Sequence, residues 1–381
     1  MRVTLLSNGH GEDTVGALLA EALWALEPTL ALQAFPTVGL GHAYARADVP
    51  LLGPRRDLPS GGLLLHSRRA FWNDLKAGFV TLTRRQLSTL RHLETDVLVV
   101  VGDVYALLLG NLVRPTYRFY VQTLVSSYHA EDRLTAKSRP NRYFMERFSP
   151  PEKFLMRRNV HTYVRDVPTA SLLARSGLAV SALGNPMLDA LKPDVPLDLP
   201  LTSPVIALLP GTRLYKLTAL KMMLRALEAL PEATGLVAWT ETSPPDSSWS
   251  AVSDGIWQRD ARTWLVYDRF FEVLDAAELV LSTAGTASEQ AAALGRPVVA
   301  FPVTPHYTEA FLENQGRLLG AALTRCRADP EVLAAALRSL WRDPVRYHAA
   351  SAAGRTRMGQ AGGAAAIAAD ILNRAGASFK R

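Results

Sequence analysis

The sequence predicts an α/β protein built from two parallel-sheet domains. Three observations carry that expectation. Apolar runs of strand length alternate with helical patterns in both halves of the 381 residues. Several runs, such as the VLVVV of residues 97–101, are apolar throughout, as a strand covered on both faces must be. A stretch rich in Pro and Asp, residues 193–204, separates two segments that are each long enough to fill a core.

In the first half, residues 2–7 read as a strand. Residues 14–26 read as a helix with Val15, Leu18, Leu19, Ala22, Leu23 and Leu26 spaced for burial. Between them lies a loop of Asn8, Gly9, His10, Gly11, Glu12 and Asp13. A glycine-bearing loop from the first strand into a helix is a usual ligand position in an open α/β sheet. It is not a G-x-G-x-x-G fingerprint, so no dinucleotide is expected. His10 fits either a ligand contact or a plain helix cap. Residues 30–36 and 49–52 read as short strands, and 55–62 as a Pro/Gly loop. Residues 63–93 mix Leu65, Phe71, Trp72, Leu75, Phe79 and Val80 with Arg68, Arg69, Lys76, Arg84 and Arg85. Such a stretch suits a membrane interface, or core-packed helices with a solvated basic face. The strand at 96–101 delivers Gly102 and Asp103 at its carboxyl end. A lone carboxylate ahead of Val104, Tyr105 and Ala106 is costly to bury without a role, which could be chemistry or helix capping. Residues 118–125 follow as a strand, 126–147 as a polar and basic connection, and 150–158 (PPEKFLMRR) as a second basic-apolar patch. A strand at 161–164 and a helix at 168–176 complete this half.

The second half repeats the alternation. A strand at 205–209 runs into Pro210, Gly211, Thr212 and Arg213. A helix at 219–230, a strand at 234–240, a polar loop at 241–255, a strand at 263–267 and a helix at 271–277 follow. Residues 279–302 then form a strand–turn–helix–strand unit. Its strand (279–281) enters a small-residue turn, Ser282 to Thr286, and its helix (287–294) stops at Gly295 and Pro297. The positive end of that helix favours an anion. Gly285 admits a phosphate close to the backbone, Thr286 and Ser288 add hydroxyls, and Glu289 could accept from a ribose diol. The same residues also fit a capping box, with Thr286 as N-cap and Glu289 closing it. Residues from 354 to 373 are Ala-rich and helical.

Composition narrows the classes. A net charge of +7 and a pI near 9.6 call for an anionic partner or a merely basic surface. No nucleic-acid motif is present, so no nucleic acid partner is expected. A single cysteine, Cys326, excludes an intramolecular disulfide and offers no zinc cluster. No D-x-D motif is present either, so no metal is expected. The N-terminus lacks the pattern of a signal peptide. The most apolar run, residues 97–113, carries Asp103 and Asn111 and is too short to span a bilayer.

The run Ser282-Thr283-Ala284-Gly285-Thr286-Ala287-Ser288-Glu289 resembles the donor-nucleotide motif of GT-B glycosyltransferases. Pro210-Gly211-Thr212-Arg213 resembles the L-P-G-S-R segment of lipid-A-disaccharide synthase, and Gly11-Glu12 its G-E-x-S-G-D loop, from which Asp13 to Gly16 depart. Asp103 matches the last Asp of that family's D-x-P-D-F-N-like segment, without its Pro and Asn. His10 is similar to a loop histidine of the peptidoglycan N-acetylglucosaminyltransferase. Gly184-Asn185-Pro186-Met187-Leu188-Asp189 resembles the superfamily's G-H/N-P-x-x-D hinge.

The resemblance implies a GT-B fold of two Rossmann-like parallel-sheet domains facing a cleft, at 1–185 and 186–360, with a last helix at 361–381 crossing back to the first. It implies an inverting, metal-independent transfer of a hexose, of GlcNAc type, from a UDP-sugar to a lipid-linked or glycolipid acceptor. Asp103 would be the base, with His10 second. Gly9, Gly11, Glu12, Asn185, Gly211, Arg213, Ser282, Gly285, Thr286, Glu289, His306 and Gln315 would bind substrate, Arg213 stabilising the leaving diphosphate. No cofactor is implied. The protein would be cytoplasmic and peripheral on the inner face of the cell membrane. A UDP-sugar 2-epimerase shares the fold and similar motifs, and a non-catalytic nucleotide-sugar-binding partner is the third alternative.

Overall fold

The computed structural model describes residues 1–56, 75–76, 78–131, 148–304 and 307–376. The chain divides into two compact units. Unit 1 comprises Met1–Ala190 and Gln360–Arg381, and unit 2 comprises Leu191–Gly359. The sequence reading set the first border at 185/186. The 3₁₀ turn Pro186–Ala190 stays with unit 1 because it seats that unit's last helix.

The strands of unit 1 are β1 (Arg2–Ser7), β2 (Ala31–Pro36), β3 (Val97–Gly102), β4 (Tyr117–Gln122), β5 (His161–Val164) and β6 (Val180–Ser181). They pair in the order β2-β1-β3-β4-β5-β6, and every pair is parallel. Between them run α1 (His10–Leu26), α2 (His42–Arg46), α3 (Phe79–Arg91), α4 (Val104–Gly110), α5 (Tyr128–Glu131), α6 (Pro150–Met156) and α7 (Val167–Ala174). The period of two along a strand divides the core. Val97, Val99 and Val101 pack to one face with Leu19, Leu23 and Ile367, while Leu98 and Val100 pack to the other with Leu107, Met156 and Leu173.

Unit 2 contains β7 (Val205–Leu209), α8 (Lys216–Glu228), β8 (Thr234–Trp239), β9 (Ser250–Ser253), β10 (Ile256–Asp260), β11 (Thr263–Tyr267), α9 (Phe270–Ala276), β12 (Leu279–Ser282), α10 (Gly285–Ala293), β13 (Val298–Ala300), α11 (Glu309–Leu319), β14 (Leu323–Arg325), α12 (Pro330–Arg342) and α13 (Pro344–Met358). The sheet order is β14-β13-β12-β7-β8-β11-β10-β9, parallel except for β9 and β10 at one edge. Unit 1 closes with α14 (Gly363–Gly376), whose Ile367 and Ile371 join the core that α1 also lines.

Four expectations are corrected. Helix α1 begins at His10, so the expected Gly11-Glu12 loop is the first helical turn. The extended Gly9 is the N-cap residue of α1, and Glu12 and Asp13 complement the positive helix start. Residues 49–52 form no strand, since only Leu51 bridges to Ala34. The expected 241–255 loop holds β9 (SAVS), and β10 (IWQRD) follows it, the two pairing antiparallel at the sheet edge. The expected 354–373 helix breaks at Gly359, whose φ of 75° ends α13.

The hinge-like segment has a defined job within unit 1. A Cβ on Gly184 would lie 2.9 Å from the Gly363 Cα, so two backbones meet there. The Asn185 N–H donates to the Gln360 carbonyl at 2.9 Å. Asp189 accepts from the N–H groups of Gly362 and Ala364, the latter at 2.6 Å, and so caps α14.

Candidate functional site

In an open parallel sheet, ligands bind beyond the carboxyl ends of the strands, where the strand order reverses. In unit 1 the order reverses between β1 and β3. In unit 2 it reverses between β7 and β12. The sequence motifs sit at these two places: Asn8 to Glu12 after β1, Asp103 after β3, Gly211 to Arg213 after β7, and Thr283 to Thr286 after β12.

In unit 2, α10 starts at Gly285 after Ala284, and no side chain caps it. The capping-box alternative is therefore corrected: Ala284 is the N-cap, and Thr286 lies exposed inside the first turn. No acidic residue occupies that turn. The free N–H groups keep their positive field for an outside anion. Thr283 ties the two switch-point loops together, donating from Oγ1 to the Pro210 carbonyl at 3.2 Å and from its N–H to Leu209 at 3.1 Å. Tyr215 donates to the Thr283 carbonyl at 2.9 Å. Gly211 turns the first loop with φ 77°, and a Cβ there would meet Ala284 at 3.6 Å and the Tyr215 hydroxyl at 4.0 Å. Arg213 is exposed and forms no ion pair among the described residues. Glu289 lies half-buried on α10.

Two expected ligand contacts turn inward. Ser282 is fully buried. Its Oγ accepts from Ser288 Oγ at 2.8 Å and from the Ala284 N–H at 3.1 Å. Gln315 is also buried. It donates from Nε2 to the Gly285 carbonyl at 2.8 Å and accepts from the Tyr307 hydroxyl at Oε1. Both hold the α10 start in place, which replaces the direct contact expected of them. The expected contact at His306 lies outside the described residues.

In unit 1, Asp103 does the capping job. Its Oδ1 accepts from the N–H groups of Tyr105 (2.8 Å) and Ala106 (3.3 Å) and from Asn8 Nδ2 (2.6 Å). Gly102 makes this possible: at φ 137° it has no room for a side chain, since a Cβ would lie 1.9 Å from Asn8 Oδ1. Burial pushes the Asp103 carboxyl above its ordinary range, against those three bonds. Glu12, half-buried on α1, is pushed up to about 7 by burial and then by the Asp103 charge. Asp13 is 2% exposed and also raised to about 7 by burial, with Glu12 adding to the effect. The Tyr44 hydroxyl donates to Ser7 Oγ at 3.0 Å, and Ser7 donates to Asp13 at 2.6 Å. Gly16 leaves room for that chain, since a Cβ there would lie 1.9 Å from the Tyr44 oxygen. Asp13, Val15 and Gly16, where the sequence departs from the G-E-x-S-G-D loop, are buried in the core.

His10 and Gly11 are exposed at the start of α1, and Gly9 is buried. Asn185 is buried, and its Oδ1 accepts from the Met187 N–H at 3.2 Å. The sequence reading missed Asn8, Thr123 and Glu152. Glu152 is buried on α6, and burial raises its carboxyl to about 7. Gln122 ends β4 and Thr123 follows it, as Asp103 follows β3, a signal that could have found Thr123. Among the described residues, no group of three His, Cys, Asp or Glu side chains is placed to hold a metal ion.

The chain is similar in fold to solved enzymes of one superfamily. MnaA from S. aureus, in a co-structure with UDP, aligns with TM-score 0.61 and 15% identity over 98% of this chain and 97% of that one. The calicheamicin glycosyltransferase aligns with TM-score 0.60 and 14% identity over 98% of each chain. The UDP-GlcNAc 2-epimerase from Methanocaldococcus jannaschii aligns with TM-score 0.56 and 14% identity over 98% of this chain and all of that one. The likeness is one of fold. Two Rossmann-like parallel-sheet units are what GT-B epimerases and glycosyltransferases share with this chain. No protein-family model matches the sequence, and no curated protein matches it either.

Proposed function

We propose that unit 2 binds a UDP-sugar and that the protein transfers its hexose, of GlcNAc type, to a lipid-linked acceptor with inversion. One observation carries this reading: the first turn of α10 is open, uncapped and free of acid, with exposed Arg213 on the neighbouring switch-point loop. A diphosphate needs that combination of N–H donors and a fork-shaped cation. The negative charge that grows on the leaving diphosphate is stabilised by the same groups, without a metal. Glu289, one turn in, is the ribose acceptor, and unit 1 supplies the acid–base chemistry.

The acceptor class rests on basic-apolar surface. On α6 the exposed Phe154 carries the Arg158 guanidinium 4.9 Å above its ring, with exposed Arg157 beside it. Such a surface suits anionic headgroups. Part of the other basic stretch, residues 63–74 and 77, lies outside the described residues. Its described part, α3, buries Leu82, Gln86 and Leu90 and exposes Arg84, Arg85 and Arg91. No helix among the described residues is long and apolar enough to cross a membrane.

A second reading, UDP-sugar 2-epimerisation, is favoured by the epimerases among the solved neighbours. Incubation with UDP-N-acetylglucosamine, with and without total lipid extract, separates the two. Transfer gives a glycosylated lipid in the mass spectrum. Epimerisation changes the sugar's NMR spectrum with no lipid present. Unchanged nucleotide-sugar in both arms contradicts both.

A further inference from the structure

Three carboxyls gather at the switch point of unit 1, and they are not equivalent. Asp103 has one oxygen filled by three donors, from Asn8, Tyr105 and Ala106. Asp13 is buried and held by Ser7, which Tyr44 backs. Glu12 sits between them on the first turn of α1 and keeps an exposed edge. A second observation points to a ligand there. Thr123, on the loop after β4, is 8% exposed, and its Oγ1 has no hydrogen-bond partner. That hydroxyl lies against the Glu12 carboxyl, short of good hydrogen-bond geometry with it. A buried hydroxyl is rarely left unmatched without a reason.

We propose that Glu12 and Thr123 together receive a substrate hydroxyl, Glu12 taking its proton, and that Asp103 is a positioning residue that sets Glu12's readiness. The hydroxyl group has one donor and two lone pairs. Its O–H points at the Glu12 carboxylate, and a lone pair accepts from Thr123 Oγ1. In the transfer reaction proposed above, on which this assignment rests, the acceptor O–H bond breaks and its proton passes to Glu12. The acceptor oxygen bonds to the anomeric carbon, and the carbon–oxygen bond to the diphosphate breaks, its electron pair leaving with UDP. Asp103 at the start of α4 is the charged group that acts on Glu12, and Glu12 in turn acts on Asp13 on its own helix, Tyr44 on α2 and Tyr120 on β4. Glu152 on α6 acts on Asp103 in turn. Burial first, and then the Asp103 charge, raise the Glu12 carboxyl to about 7, where a base works best.

The test uses the full chain with carbon-13 in its glutamate carboxyls, followed by NMR against pH. Glu12→Gln identifies the Glu12 signal. We expect a midpoint near 7 that moves down in Asp103→Asn, which removes the neighbouring charge. With UDP-N-acetylglucosamine and lipid extract, Glu12→Gln lowers kcat by about 10²–10⁴-fold while UDP binding by calorimetry stays unchanged. Thr123→Val raises KM more than it lowers kcat and leaves thermal stability intact, because an unpartnered hydroxyl is removed. A Glu12 midpoint in the ordinary carboxylate range overturns the assignment, as does wild-type turnover in Glu12→Gln. Failure of the wild-type chain to bind UDP would instead contradict the reading of unit 2.

Discussion

Helices α1 and α10 start at equivalent places, each beyond a strand that flanks a switch point, yet their first turns have opposite electrostatics. Helix α1 brings its own anions, Glu12 and Asp13, and Asp103 stands nearby as the cap of α4. Helix α10 brings none and has no side-chain cap. A helix start worth about half a positive charge is thus neutralised in unit 1 and left available in unit 2. The difference assigns the roles. An incoming diphosphate is repelled from the first place and attracted to the second, while carboxyls crowded at the first become weak acids fit for proton transfer.

The sharpest way to break this contrast is to make α10 resemble α1. Thr286→Glu places an anion in the open turn. It should lower UDP affinity by about 100-fold or more by calorimetry, while the helix itself gains about 0.3–1 kcal/mol from the added acid. Loss of binding without loss of thermal stability separates repulsion from misfolding. Next, Arg213→Ala removes the one cation placed on the β7 loop. A charged hydrogen-bonding partner is worth about 1.5–3 kcal/mol, so UDP affinity should fall roughly 10- to 100-fold.

The third prediction concerns the acidic side. Burial raises the folded-state pKa of Asp13 to about 7, well above its unfolded value. Between about 4 and 7 the folded state then binds more protons than the unfolded one, so stability is greatest in mild acid and is lost as pH rises through that window. Asp13→Asn should flatten this fall by on the order of 2 kcal/mol in denaturant melts taken at pH 5 and pH 8. The smallest effect is expected at Gly11, where a Cβ would meet nothing within 4 Å. Gly11→Ala should change stability by less than about 0.5 kcal/mol, as at an ordinary surface position.

Most of the fold was legible because parallel strands announce themselves. The all-apolar strands β3 and β7 and the stop signals at Gly177 and Gly295 need no partner to be read. Strands β9 and β10 were not, since an edge pair of Ser, Trp and Gln lacks an apolar run. The start of α10 was legible as an anion site and ambiguous as a capping box, because T-x-x-E serves both. Only the backbone position of Gly285 separates them. Ser282 and Gln315 were misread for a different reason. Their hydroxyl and amide are used behind the site, and sequence does not say which way a side chain turns. Asp103 looked like a lone functional carboxylate because its partner Asn8 lies 95 residues away. Asn185 and Asp189 looked like a hinge because α14, which they hold, comes so late in the chain.

One titration tests the contrast between the two helix starts most directly: UDP into the full chain and into Thr286→Glu, side by side in a calorimeter. Saturable heat with the wild-type chain and none with the variant is the result expected of an open, positive α10. Equal binding by both chains, or no binding by the wild type at millimolar nucleotide, would contradict it.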